Sequence, residues 1–148
     1  MTTAQARTSL RLTRFFKAPR QKVFEAWTNP DLLRRWMGPA EVTVTSAEVT
    51  PKVGGGYRIE MFKPEAGTRW IASGAFREIV PGEKLVMTWG WDRPDRYETL
   101  LTVLFAEKDG GTELTLLHER FATEEDLGGH EHGWTGSLEK LSAVVAGS

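Results

Sequence analysis

His118 is the residue whose type and place in this chain most invite chemistry. It ends the alternating run Leu114, Leu116, His118, which puts its imidazole on the apolar face of a strand, while Glu119 falls on the outer face. An imidazole there can orient a ligand carbonyl or hydroxyl, or act as a general base near neutral pH. The plain alternative is a core histidine bonded to a tyrosine, a carboxylate or the backbone. His130 and His132 invite a metal reading with His118, but an i, i+2 spacing puts two side chains on different faces of a helix. No cysteine is available to complete a ligand set, and the nearby acids Glu124, Glu125, Asp126 and Glu131 suit an exposed helix start. No metal and no cofactor is therefore expected. Arg58 and Glu60 alternate with Tyr57 and Ile59 and read as a solvated pair, whereas Arg69, beside Trp70, is a candidate rim cation for an acidic ligand group. The chain contains no G-x-S-x-G, no H-E-x-x-H and no phosphate loop with a lysine. Gly54-Gly55-Gly56 leads into a strand and not into the helix N-terminus that would cradle a phosphate. With His118 as the one inward ionisable group, the sequence leans away from an enzyme.

Aromatic side chains are the second chemical resource. There are six tryptophans, Trp27, Trp36, Trp70, Trp89, Trp91 and Trp134, and fifteen glycines. Alternation turns Tyr57, Ile59, Met61, Trp70, Ala72, Gly74, Met87, Trp89, Trp91, Leu101, Val103, Leu116 and His118 to one side of a sheet. A C-terminal helix adds Trp134, Leu138 and Leu141, and Trp36 is placed to close the mouth. A wall that is mostly apolar with few polar groups is what small-molecule pockets have, and Trp and Tyr offer flat faces for stacking. Small residues at Ala72 and Gly74, opposite large rings, would leave room. The alternative is that Trp134 and its neighbours fill that room and make a solid core. The expected partner is a small hydrophobic molecule, aromatic or lipid-like.

Charge and composition exclude other classes. Nineteen basic residues stand against twenty acidic ones, a net charge of −1, so nucleic acid is not expected as a partner. Zero cysteines exclude a disulfide scaffold and a thiolate metal site. No apolar run reaches the ~18 residues of a membrane span. The N-terminal MTTAQARTSLRLTR has no apolar core of a secretory leader, so a cytoplasmic protein is expected. The 148 residues suit one domain over 1–148, with a core from about 9 to 146. Monomer and homodimer both stay open.

The elements that must position these residues follow from local pattern. Ser9–Phe16 alternates as a strand. Ala18-Pro19 opens a helix carrying Val23, Phe24 and Trp27, and Asn29-Pro30 ends it and caps a second with Leu32, Leu33 and Trp36, stopped at Gly38-Pro39. Val42–Val49, Tyr57–Met61, Trp70–Phe76, Leu85–Trp91, Leu101–Phe105 and Leu114–His118 alternate as strands between turn signals such as Pro81-Gly82 and Asp109-Gly110-Gly111. Asp92–Arg96 is a polar connection, either a lid over a cavity mouth or a solvated loop. Thr123–Asp126 reads as a capped acidic helix start, which Gly128-Gly129 interrupts. Trp134, Leu138, Leu141 and Val145 then share one face of a helix of about four turns. Seven strands with short connections and a long amphipathic helix predict an α+β fold: a curved seven-stranded antiparallel sheet, two short helices, and a long C-terminal helix over the concave face.

Several segments in this order carry a resemblance. They are Ala18-Pro19 with Val23, Phe24 and Trp27; Asn29-Pro30 with Leu33 and Trp36; Gly54-Gly55 before Tyr57–Met61; Gly74; Pro81–Trp89; Gly111-Thr112 with Leu114–Leu116 and His118; and Gly133-Trp134 with Leu138 and Leu141. Together, over roughly residues 10–145, the sequence resembles the helix-grip fold of the START-like (SRPBCC) superfamily. More closely, it resembles the bacterial family named after the C-terminal domain of the activator of the heat-shock-protein-90 ATPase. The superfamily includes lipid and polyketide carriers, aromatic cyclases and hormone receptors. The resemblance therefore implies a ligand held between the sheet and the C-terminal helix. The alternatives it leaves open are a polyketide cyclase-like, dehydratase- or hydrolase-type enzyme, and a stress- or chaperone-related interaction protein. The eukaryotic co-chaperone carries a further N-terminal domain for which this chain has no room, so activation of a chaperone ATPase is not expected.

Overall fold

The computed structural model describes residues 8–146. Ten elements follow in order: β1 (Leu10–Phe16), α1 (Arg20–Thr28), α2 (Pro30–Trp36), β2 (Thr43–Val49), β3 (Gly56–Lys63), β4 (Thr68–Val80), β5 (Lys84–Trp91), β6 (Thr99–Lys108), β7 (Gly111–Glu119) and α3 (Glu124–Ala146). The strands make one curled sheet in the order β1-β7-β6-β5-β4-β3-β2, antiparallel throughout. β2 to β7 form a meander, and β1 returns to pair with β7, Leu12 opposite Leu116. The β6–β7 turn has positive φ at Asp109 (48°) and Gly110 (77°), the two-residue turn whose twist matches that of the strands.

The two short helices are built as their sequences dictate. Pro19 precedes the first turn of α1. The Asn29 side chain caps α2 by accepting from the backbone N–H of Asp31 at 2.9 Å and of Leu32 at 3.4 Å. α1 buries Val23, Phe24, Ala26 and Trp27, and α2 buries Leu33 and Trp36. These side chains join Leu85, Leu101, Val103, Leu114, Leu116, Leu138 and Leu141 in one continuous core.

α3 departs from expectation. It is one unbroken helix of 23 residues and passes through Gly128-Gly129 without interruption. Each internal glycine costs about 1 kcal/mol against alanine. Three features of the helix start offset that cost. Thr123 Oγ1 accepts from the Asp126 N–H at 3.0 Å, three acids sit at the positive end of the helix, and Leu127 is fully buried. Further along, Gly136 permits a close approach, since a Cβ there would stand 2.8 Å from Pro39 Cα. Ser137 Oγ accepts from the Gly38 N–H at 2.8 Å and donates to the Gly133 carbonyl at 2.7 Å. Lys140 Nζ reaches the carbonyl of Pro39 at 3.3 Å. The segment 37–42 is thereby fastened to α3. Among the described residues, no helix is long and apolar enough to cross a membrane.

Candidate functional site

The N-terminal half of α3 stands off the sheet, and a half-open cleft of about 670 Å³ lies between them. Its floor is Met61 and Lys63 of β3, Trp70 of β4, and Trp89 and Trp91 of β5. Segment 37–42 closes one end, and Asp92 and Arg93 stand at the other. The α3 wall presents Gly129 and Gly133, one helical turn apart, with His130, Trp134 and Ser137. A Cβ added at either glycine would meet nothing within 4 Å. These two glycines therefore keep the wall flat without any packing reason to be glycine. Trp70 is 39% exposed, a large ring left uncovered at the open side.

Polar groups gather at the rim. His132 Nε2 meets Glu41 Oε1 at 2.8 Å, joining α3 to segment 37–42 across one edge. That hydrogen bond holds the Glu41 carboxyl below the usual carboxylate range. At the opposite end, the Tyr97 hydroxyl donates to Asp126 Oδ2 at 2.6 Å and accepts from the Ala122 N–H at 3.1 Å. Arg93 reaches the same carboxylate at 3.7 Å and Asp95 at 3.0 Å. The β5–β6 connection is thus tied to the start of α3 and is not a free lid. Arg69 turns to Glu60, 3.6 Å away.

Behind the floor lies a chain of indoles and imidazoles. Trp134 Nε1–H donates to His118 Nδ1 at 3.0 Å. Indole nitrogen is a donor only, so Nδ1 is the unprotonated nitrogen of a neutral ring. The other nitrogen, Nε2–H, then donates to Thr99 Oγ1 at 2.6 Å, and the Thr99 hydroxyl passes its proton to the Trp89 carbonyl at 2.9 Å. His130 repeats the arrangement: its Nε2 accepts from Trp91 Nε1–H at 2.8 Å, and its Nδ1–H donates to the Asp126 carbonyl at 2.6 Å. Burial pushes the His118 imidazole down to about 2, with the nearby His130 adding to the effect. Burial also lowers His130. Both rings are held neutral with both nitrogens engaged, so neither has a lone pair or proton to offer a ligand. Among the described residues, no group of three or more His, Asp or Glu side chains could hold a metal ion.

The family profile described as activator of Hsp90 ATPase homolog 1-like protein matches residues 17–146, from the connection after β1 to the end of α3. The chain belongs to this family. A protein of Silicibacter pomeroyi that bears the same family name is 30% identical, with a TM-score of 0.83 over 93% of this chain and 97% of its own. A protein of Chromobacterium violaceum is 27% identical, with a TM-score of 0.85 over 93% of this chain and 96% of its own. One from Rhizobium leguminosarum covers 99% of this chain and 100% of its own at 23% identity and a TM-score of 0.81, a likeness of fold alone. Among curated proteins none matches. The fold shared by these activator-homologue-like proteins is the START-like helix grip, which typically holds ligands.

Within this activator-homologue-like chain, the cleft brings together five of the residues expected to line it: Met61, Trp70, Trp89 and Trp91 from strand alternation and Trp134 from the helix. The others lie elsewhere. Tyr57, Ile59, Ala72, Met87, Leu101, Val103, Leu116, Leu138 and Leu141 are packed in the core. Trp36 does not stand at a mouth. It is wholly buried, its Nε1–H donates to the Ala26 carbonyl at 2.9 Å, and its ring meets Trp27 at 4.7 Å. Gly74 makes no room for a ligand, because the Thr88 backbone occupies the space a side chain would need. His118 lies on the inner face but behind the floor of the cleft. The residues missed are Lys63, segment 37–42, and the glycine pair of α3. A glycine at 129 and again at 133, inside a helix with no turn to explain them, was a readable signal.

Proposed function

We propose that this protein binds a small, largely apolar molecule, aromatic or lipid-like, in the cleft between β3–β5 and the N-terminal half of α3. The observation that carries the reading is the pairing of an uncovered tryptophan, Trp70, with a glycine-flattened helix wall across a cleft of about 670 Å³. A volume of this order suits a drug-sized ligand. Burying about 300 Å² of apolar ligand surface at ~25 cal/mol per Å² yields about 7 kcal/mol gross, so affinities near micromolar are within reach after the costs of association. The neutral, fully engaged states of His118 and His130 argue for holding a ligand over acid–base catalysis at this site.

Two variants test this by tryptophan fluorescence titration against fatty acids, flavonoids and fused-ring polyketides. Trp70→Ala removes a half-exposed ring, so folding is expected to survive. A ring-bearing ligand that saturates the wild-type signal is expected to bind the variant about five- to tenfold more weakly, the loss of one stacking face. Gly133→Leu fills the cleft from its open wall and is expected to abolish binding while the helix is retained. The milder Gly133→Ala should stabilise the protein by about 1 kcal/mol, since it adds helix propensity without a clash. A panel ligand bound equally by wild type and Gly133→Leu would place binding elsewhere.

A further inference from the structure

Four of the six indole N–H groups have an evident outlet. Trp36, Trp91 and Trp134 donate to the Ala26 carbonyl, His130 and His118, and Trp70 is open to solvent. Among the described residues the indole N–H of Trp89 has no acceptor, although the residue is only 3% exposed. Trp27 shares that condition but lines neither the cleft nor the small hollow beside it. Its ring is covered by Trp36 at 4.7 Å and Trp134 at 5.7 Å. Trp89 lines both openings.

The surroundings of Trp89 explain why no side chain satisfies it. Thr99 Oγ1 accepts from His118 and donates to the Trp89 carbonyl itself. His130 Nε2 is taken by Trp91, and His118 Nδ1 by Trp134. The Tyr97 oxygen accepts from Ala122 while its proton goes to Asp126. The side-chain acceptors Thr99, Tyr97 and His130 around the hollow, and His118 behind it, are thus each committed to another partner. A buried donor left without an acceptor costs stability, and an incoming acceptor recovers it. We propose that the molecule held in the cleft brings a neutral hydrogen-bond acceptor, a carbonyl or ether oxygen on an aromatic frame, to the Trp89 indole N–H. An anionic oxygen is disfavoured there. The flanking imidazoles are held neutral by their hydrogen bonds, and the Arg93 guanidinium is engaged with Asp95 and Asp126, so none of these three offsets the desolvation of an anion.

This inference rests on the proposed binding reading, and a matched pair of probes separates the two. 2-Acetylnaphthalene carries the ketone oxygen, and 2-isopropylnaphthalene has nearly the same shape without it. Partitioning from water favours the hydrocarbon, so a preference for the ketone reports a specific acceptor site. Wild type is expected to bind the ketone about fivefold more tightly, and Trp89→Phe should erase that ratio whatever its absolute affinities. In ¹⁵N-labelled wild type, the Trp89 indole ¹H–¹⁵N peak should move downfield with the ketone and not with the hydrocarbon. That readout decides the matter even if the variant does not fold. If both probes bind with equal strength and the indole peak responds alike, the inference is overturned and the binding reading stands; a water in the adjacent hollow of about 10 Å³ then serves the N–H. A ketone preference that survives Trp89→Phe also overturns it. If neither naphthalene binds, the aromatic binding reading and this inference fall together.

Discussion

Gly74→Ala is expected to lower the unfolding free energy by about 3 kcal/mol or more, a change at the severe end for a single methyl group. β4 and β5 come together so closely at this point that a Cβ on residue 74 would lie 2.6 Å from the Thr88 carbonyl carbon and 2.8 Å from its Oγ1. Thr88 cannot retreat. Its carbonyl accepts from the buried Tyr57 hydroxyl, and its own Oγ1 accepts from the Ala75 N–H at 2.9 Å. Tyr57 is in turn wedged against Phe76 at 5.8 Å and Trp89 at 6.0 Å. A methyl group therefore has to move backbone on two strands and loosen the floor of the cleft with them. Urea unfolding followed by circular dichroism measures the effect, with Gly133→Ala as the matched control. The same chemical change is expected to have opposite signs, because residue 133 has open space where residue 74 has a strand. Equal midpoints for the two variants would sink the account of Gly74.

The contrast between these glycines shows what could be read from sequence and what could not. Period-two alternation located every strand, and the cap at Asn29 and the turn at Asp109-Gly110 were legible because each rests on neighbours within a few residues. The start of α3 was not. Local propensity weighs Gly128-Gly129 against a helix, while the burial of Leu127 and the ties of Asp126 to Tyr97 and His130 are supplied by distant chain segments. That difference of ten residues moves the candidate site. With α3 beginning at Glu124, the open space lies beside its first half, and Leu138 and Leu141 are left to pack the core. Alternation tells which face a residue takes, so the inner face of β3 and β5 was readable. It does not tell whether a helix covers that face or stands off it. Nor does it speak for segment 37–42 or Asp92-Arg93, which reach the cleft from connections where no period exists. For the same reason the sequence allowed His118 to be either a working base or a satisfied core residue, since its partners Thr99 and Trp134 are nineteen and sixteen residues away.

Those partners predict the second large effect, a loss of stability on mild acidification. Protonating His118 would put an N–H on Nδ1 against the Trp134 indole N–H, donor facing donor, between two buried rings. His130 meets the same conflict with Trp91, with Arg93 opposing its charge and Asp126 favouring it. In the unfolded chain a histidine titrates near its ordinary 6.5, whereas folding drives His118 down to about 2. Below pH 6.5 the unfolded state thus binds a proton that the native state refuses. Stability is complete above that value and drains as the pH falls, by about 1.4 kcal/mol per pH unit for each such histidine. Between pH 6.5 and 4.5, His118 alone accounts for about 2.7 kcal/mol out of the 5–15 typical of a domain. His130 acts in the same direction. Toward the lower end of the window Glu41, held below the ordinary carboxylate value in the fold, begins to act in the same direction, so the part due to His118 is read from the difference in slope between wild type and a variant without the imidazole. Urea midpoints measured across this range should fall steadily in the wild type. His118→Leu should begin less stable, with the Trp134 N–H and the Thr99 hydroxyl deprived of their partner, yet lose stability about 1.4 kcal/mol per pH unit more gently. The imidazole C–H resonances of His118 should stay unmoved down to the onset of acid unfolding. A wild-type stability that is flat across the window, or a variant with an undiminished slope, would mean that the Trp–His chain behind the cleft tolerates a charge and is not the rigid neutral support that holds Trp89, Trp91 and Trp134 in place.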